Sequence, residues 1–380
     1  MQDLSGSNNL FSTFPSASME DWIKTATAET GGKNPLEALK WQLGELTGVP
    51  YYDKNSISNF SNQNSAHLTP SGNPFMGPRG WFNLPIINSL DERTANSKAH
   101  QHLNNGADGI LFDLRENSSI SLETLLNNIE WSACFVSFYL PSIADYFFNS
   151  LQTYLEKGKI ESSGLQGFFL QETYPQHPQS LHNVIHTVKG TQNLYLSGIR
   201  SQLENPVDQI SDTLLRSVVL IEQKKQSGID INKILPQVFF SVTISTDIFI
   251  EIAKLKALRF LWYQIVNAYG ITDYSPSDLF IHAHSTRWKQ DSFQPHENML
   301  KGTTASLAAI LGGCNGLTTD ADHGDDERLT RIARNVSNVL REESHLSKVA
   351  DPTAGSYYIE SLVSSIASQA WKKFTETVSK

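Results

Sequence analysis

His282 and His284 sit two residues apart in LFIHAHS (279–285), a run whose apolar content predicts a strand. On a strand that spacing turns both imidazoles to one side, as a metal pair would need, although a histidine held by neighbouring strands accounts for one of them without a metal. The segment DADHGDDE (Asp320 to Glu327) gathers carboxylates that could attract a divalent cation. It lacks the alternating oxygen ligands and bidentate Glu of a calcium loop, and a charged loop ahead of a helix N-terminus accounts for it. Arg200 and Gln202 follow the run NLYLSGI (193–199), Asp113 and Arg115 follow the run that starts at Gly109, and Arg287 follows the second histidine. Arginines and histidines of this kind can clamp an anion, but no nucleophile or acid/base pair stands beside them. Cys134 and Cys314 lie in apolar surroundings, the habit of buried small hydrophobes rather than of a disulfide framework or zinc site. No G-x-S-x-G, P-loop, G-x-G-x-x-G or H-E-x-x-H is present.

The elements that must position these groups follow a rhythm that starts near Trp81. Candidate strands fall at 81–88, 109–114, 132–140, 167–171, 193–199, 238–245, 279–285 and 316–320, with amphipathic segments between them. In SLETLLNNIE, Leu122, Leu125, Leu126 and Ile129 share one helical face, and DIFIEIAKLKALRFLWYQIV repeats apolar residues at helical spacing. Such a count and order predict an α/β protein, a (β/α)8 TIM barrel over residues 81–380, closed by a helix from Tyr357 to about Val378. In that architecture chemistry belongs at the C-terminal ends of the strands, where Arg200, Gln202, His282, His284 and Arg287 lie. Residues 1–80 differ: they carry one helical pattern, PLEALKWQLGEL (35–46), and a long Ser-, Asn-, Gly- and Pro-rich stretch. Such a segment is either a disordered leader or an extended N-terminal arm that lies across another surface, and the aromatics Trp22, Trp41, Tyr51, Tyr52, Phe60 and Phe75 favour the arm, a partner-binding segment.

With 380 residues, of which 39% are hydrophobic, the chain can bury a sizeable core. A net charge of -9 with scattered Lys and Arg gives no stripe for a polyphosphate backbone, so nucleic acid is excluded as a partner. The N-terminus lacks a basic segment followed by an apolar core, and no run approaches the length of a membrane span, which predicts a cytoplasmic protein with no membrane partner.

Several blocks resemble the barrel domain of methylmalonyl-CoA mutases, in the same order and at nearly the same spacing: HAHSTRW (282–288), KGTTASLAAILGGCNGLTT (301–319), RIARNVSNVLREES (331–344) and KVADPTAGSYYIESL (348–362). Upstream, FIEIAKLKALRFLWYQIV (249–266) and LSGIRSQ (196–202) are similar to further blocks of the family. The resemblance is strong after Phe239 and weak before it. It implies an adenosylcobalamin-dependent radical isomerase that interconverts methylmalonyl-CoA and succinyl-CoA, with the acyl-CoA arm running down a barrel lined by small polar residues.

The departures are as informative. Where catalytic members read S-G-Y-H-M-Q, this chain has Ser197, Gly198, Ile199, Arg200, Ser201 and Gln202. The resemblance makes that His a donor to the thioester carbonyl, a role a longer, permanently charged Arg cannot fill. The H-x-Q-T-S-G-W block keeps His282 and Trp288 but has His284 for Gln and Arg287 for Gly. The T-I-R-Q-Y-A-G block aligns with 82–88, which holds no Tyr, and GFFLQETYPQHP (167–178) holds no Arg for a substrate carboxylate. The cobalamin motif D-x-H-x-x-G is absent, and Asp322-His323-Gly324 does not fit it. These departures imply a catalytically inactive small subunit whose pocket (Ile199, Arg200, Gln202, His282, His284, Arg287) is degenerate and plugged at its mouth by bulkier side chains. The partner is then a catalytic large subunit that holds adenosylcobalamin, in a heterodimer, and no cofactor, metal or cobalamin-binding domain belongs to this chain. A stand-alone TIM-barrel enzyme or binder for another anionic acyl-CoA, a piece of a longer subunit, and a homodimer using the arm on itself are the alternatives.

Overall fold

The structure, a computed structural model, describes residues 18–56, 68–70, 76–88, 91–116, 120–142, 144–158, 160, 162–171, 193–285, 297–321 and 326–379. In the arm, helix α1 (Met19–Glu29) starts at a Ser18 capping box, and α2 (Pro35–Ala38) is a single turn capped by Asn34. The helix expected over 35–46 stops there. Gly44 takes φ +59 and turns the chain, so that β1 (Trp41–Leu43) and β2 (Leu46–Gly48) pair as an antiparallel hairpin. Leu46, 1% exposed, joins the core beside Trp41, Lys373 reaches Glu45 at 3.5 Å, and Leu68 N donates to Asp351 at 3.1 Å. The hairpin and Leu68 therefore pack on the chain's own surface.

From β3 (Phe82–Asn83) onward strands and helices alternate: β4 (Ile86–Asn88), α3 (Glu92–Leu103), β5 (Gly109–Asp113), α4 (Leu122–Leu125), β6 (Phe135–Leu140), α5 (Asp145–Gly158) and β7 (Gln166–Gln171). There follow β8 (Asn193–Tyr195), β9 (Ser197–Arg200), α6 (Pro206–Gln226), α7 (Ile231–Ile234), β10 (Val238–Ile244), α8 (Ile248–Ala268), β11 (Phe280–Ser285), α9 (Glu297–Leu311), β12 (Gly316–Thr319), α10 (Glu327–Glu342) and α11 (Tyr357–Val378). The segment 121–130 yields only a short α4, because Asn128 adopts φ 57 and ends the helical path, yet Leu122, Leu125, Leu126 and Ile129 are all buried as their spacing predicts.

The strands form two five-stranded parallel sheets, ordered β3-β12-β11-β10-β9 and β4-β5-β6-β7-β8. The sheets share two chain passages. Leu84 N bonds to Leu317 in the first sheet, while Pro85, which has no N–H of its own, offers its carbonyl to Leu111 N in the second. Leu196 likewise separates β8, paired to β7, from β9, paired to β10.

Side chains on one face of each sheet pack under the helices, in two separate clusters. Those on the other faces meet in a third: Leu84, Leu111, Phe135, Tyr139, Phe168, Leu170, Phe239 and Phe280, flanked by Phe82 and Tyr195. Rings from both sheets touch there, with Phe135 stacked on Phe280 at 5.4 Å and Phe168 against Phe239 at 4.7 Å. This inner layer is aromatic where the family resemblance implies small polar residues. His282 belongs to it, fully buried and 4.8 Å from the Phe168 ring. Thr318 Oγ1 donates to Leu84 O at 2.7 Å, so it accepts from His282 Nε2 at 2.9 Å, and His282 Nδ1 then accepts from Ser241 Oγ at 3.0 Å. Both ring nitrogens are engaged in a neutral tautomer. Burial first, then the charges of His284 and Arg200, hold the His282 pKa well below 6.5.

Two outcomes follow from this layer. A Cβ at Gly198 would lie 2.4 Å from the Phe239 ring and 2.9 Å from Leu170, both in the packed interior, so Gly198→Ala should lower the unfolding free energy by about 1–3 kcal/mol. Urea denaturation of the two proteins measures it. His282 in the unfolded chain takes up a proton near pH 6.5 and in the folded chain only far lower, so its contribution is complete above pH 6.5 and is lost on acidification, by at most about 1.4 kcal/mol per pH unit. His282→Gln, which can keep both hydrogen bonds, should show a shallower fall in urea midpoint between pH 6.5 and 5. His102, lowered to about 4 chiefly by burial, leaves a residual slope of the same sign; equal slopes in the two proteins would contradict the assignment.

Candidate functional site

Above the inner layer, at the C-terminal ends of the strands, a cavity of about 560 Å³ is lined by residues from both sheets. Tyr139 comes from β6, Arg200 from β9, Thr243 from β10 and His284 from β11, while Arg115, Gln202 and Asp320 follow their strands. Among the described residues this cavity lies where the sequence predicts a plugged mouth. The filling lies one layer deeper, because the interior rings sit lower on the strands than residue 200.

Of the sequence-predicted residues, Arg200, Gln202 and His284 line this cavity together. His282 points to the same side as His284, with ring centres 5.9 Å apart, but two residues of strand place it one layer down, out of the cavity. Ile199 is elsewhere. Side chains alternate along a strand, so with Arg200 facing the cavity Ile199 must face the helices, where it is 1% exposed in the cluster that holds Val207, Ile210 and Phe240. Arg287, Asp322, His323, Gly324 and residues 172–178 lie outside the described residues. The metal-pair reading of the histidines finds no third ligand: among the described residues no group of three or more His, Cys, Asp or Glu side chains could hold an ion.

Charge at the cavity is arranged in pairs. Arg115 donates to Asp113 through Nε at 2.8 Å and Nη2 at 2.6 Å, and its guanidinium lies 4.1 Å from the Tyr139 ring centre. His284 Nε2 meets Asp320 at 2.9 Å. Lys254 and Glu251, one helical turn apart on α8, form a 2.5 Å ion pair with side chains only 2% and 4% exposed. Lys254 also donates to Thr243 O at 2.8 Å, and Ser245 donates to Glu251 at 2.7 Å. Among the described residues Arg200 has a single hydrogen bond, 3.4 Å to Thr243 Oγ1, and lies 5.6 Å from the same Tyr139 ring. Sequence reasoning missed Tyr139, Thr243, Glu251 and Lys254. The last two carry a readable signal, since opposite charges at i and i+3 inside a largely apolar helix must be paired where they are buried. Asp326, from the acidic run, caps α10 by accepting from the N–H groups of Arg328 and Leu329. Both cysteines have pKa values pushed up to about 11, mainly by burial, as expected of inert thiols.

Residues 196–380 match the protein family described as Methylmalonyl-CoA mutase. The methylmalonyl-CoA mutase small subunit of Porphyromonas gingivalis is 29% identical over 399 residues, covering 96% of this chain and 63% of that protein. The large subunit from the same organism is 28% identical over 288 residues, covering 70% of this chain and 39% of that protein. The chain thus spans less than two thirds of either relative. Among solved structures, Yersinia pestis DHPS with a pterine-sulfa conjugate aligns at 15% identity and a TM-score of 0.39, covering 73% of this chain and 99% of that one. The match starts at Leu196 and takes in Arg200, His284 and Asp320, and a relative named as a small subunit follows nearly the whole chain: the chain is similar to the methylmalonyl-CoA mutase family.

Proposed function

We propose that this chain is a small subunit of a methylmalonyl-CoA mutase, a (β/α)8 barrel that catalyses nothing itself and pairs with a catalytic large subunit. The barrel reading is supported by the two chain passages, at Leu84–Pro85 and at Leu196, which join the two sheets at both ends into a ring of eight strands in sequence order. The observation that carries the functional reading is the inner layer. An acyl-CoA arm threading the strands would need the volume that Phe135, Phe168, Phe239 and Phe280 occupy, and emptying that volume means separating rings whose burial stabilises the fold by about 1.5–3 kcal/mol each. Arg200 at the position of the family's His is a second support. It is charged at every physiological pH and cannot alternate between donor and acceptor.

The family implies adenosylcobalamin, which supplies the radical chemistry when bound. The described residues at the strand ends do not fit it: His282 has both ring nitrogens engaged below the cavity, and His284 is held through Nε2 by Asp320. In our reading the cofactor belongs to the large subunit. The relatives' names support that division, since one organism has proteins named as small and as large subunits and both are similar to this chain. A described chain surface without any helix long and apolar enough to cross a membrane is compatible with assembly in the cytoplasm.

Purified chain, supplied with methylmalonyl-CoA and adenosylcobalamin, should show no isomerisation, and Arg200→His alone should restore none. Mixed with its large subunit, it should elute as a single complex on size exclusion with light scattering. Turnover by the chain alone, or separate elution of the two proteins, would refute the subunit reading.

A further inference from the structure

The cavity at the strand ends has no role in the subunit reading, yet its construction is that of a ligand site. Arg115, Lys254 and His284 each hold a carboxylate at 2.9 Å or closer. Arg200 is different. Its guanidinium is half-buried, and among the described residues its contacts are the Thr243 hydroxyl at 3.4 Å and the Tyr139 ring at 5.6 Å, with no carboxylate. Arg115 lies 4.1 Å from that same ring, so two guanidiniums crowd one tyrosine, and Asp113 neutralises only the second. An arginine fork in this setting matches the two oxygens of a carboxylate, and partial burial strengthens the pairing.

A second group points the same way. Gln209 lines the cavity at 4% exposure, donates through Nε2 to Leu203 O at 2.9 Å, and leaves Oε1 buried without a hydrogen-bond donor. A buried acceptor left unmade is costly, and a small shift of this side chain toward the cavity would let a ligand hydroxyl satisfy it. The volume of about 560 Å³ suits a small molecule, and the layer below the cavity, with Phe168 and His282 fully buried, stops a long chain from passing. Glu204 and Asp320 on the wall disfavour a second negative charge in the ligand.

We propose that this cavity binds a short hydroxy monocarboxylate as a free acid, with Arg200 holding the carboxylate and Gln209 Oε1 accepting from the hydroxyl. The site goes beyond the subunit reading and needs neither the large subunit nor a thioester. Isothermal titration calorimetry of the full chain with lactate, propionate, succinate and inorganic phosphate tests it. Lactate should bind saturably, with propionate, which lacks only the hydroxyl, about fivefold weaker, and with succinate and phosphate weaker still. Arg200→Met should weaken lactate by about tenfold or more while the melting temperature holds, and Gln209→Leu should abolish the preference for lactate over propionate. Should Arg200→Met not fold, Arg200→Lys serves, with an intermediate loss expected because the charge stays and the fork is gone. Absence of saturable lactate binding, equal binding by the Arg200 variant, equal affinity for propionate, or tighter binding of phosphate would each overturn the proposal. Because these titrations use the chain alone, their failure leaves assembly with a large subunit untouched, and a failure to assemble leaves the site untouched.

Discussion

The packing of aromatic rings between the two sheets is the constraint on which the rest depends. Six strands, three from each sheet, send Phe82, Phe239, Phe280, Phe135, Phe168 and Tyr195 into one layer, where ring contacts run from one sheet to the other. Such rings cannot be shortened or moved one at a time, because interiors are close-packed and each ring is another's wall. The layer fixes the level at which the interior ends and the cavity begins. It also decides that His282, whose two nitrogens are spent on Ser241 and Thr318, is a part of the core.

Around that layer the buried charges are satisfied locally. Lys254 and Glu251 answer each other, and Lys256 lies between Asp351 at 3.0 Å and Glu360 at 3.8 Å, under the loop that also receives Leu68 N. Arg259, 1% exposed, donates to the carbonyls of Pro276, Leu279 and Gly313 and to Asn315 Oδ1. Removing one member of such a set leaves a charge in a medium that cannot solvate it, so these groups act as fixed pegs between helix and loop. Against that background Arg200, with one 3.4 Å hydrogen bond among the described residues, stands out.

Much of this was legible in the sequence. Short apolar and β-branched runs at regular spacing gave the described strands from Phe82 onward, and the closing helix runs from Tyr357 to Val378 as its periodicity predicts. Alternation along β9 separates Ile199 from the pocket residues, since Ile199 and Arg200 are adjacent and cannot share a face. The hairpin at Trp41–Gly48 escaped because its leucines also satisfy a helical pattern, and only Gly44 decides between the two. The depth of the filling was hidden for another reason: Phe135, Phe168, Phe239 and Phe280 are unremarkable in four separate strands, and their meeting is a fact of tertiary structure.

The passages at Leu84–Pro85 and Leu196 act as seams. Each half of the molecule completes its own hydrogen-bond ladder, so residues on one side can change type without disturbing the register of the other. Leu196 is also where the match to the mutase family begins, and the boundary of recognisable sequence thus coincides with a physical boundary in the ladder. A joint of this kind lets one half of a fold drift in sequence while the other holds its pattern, and it is the place where a chimera of two relatives would be cut with least disturbance.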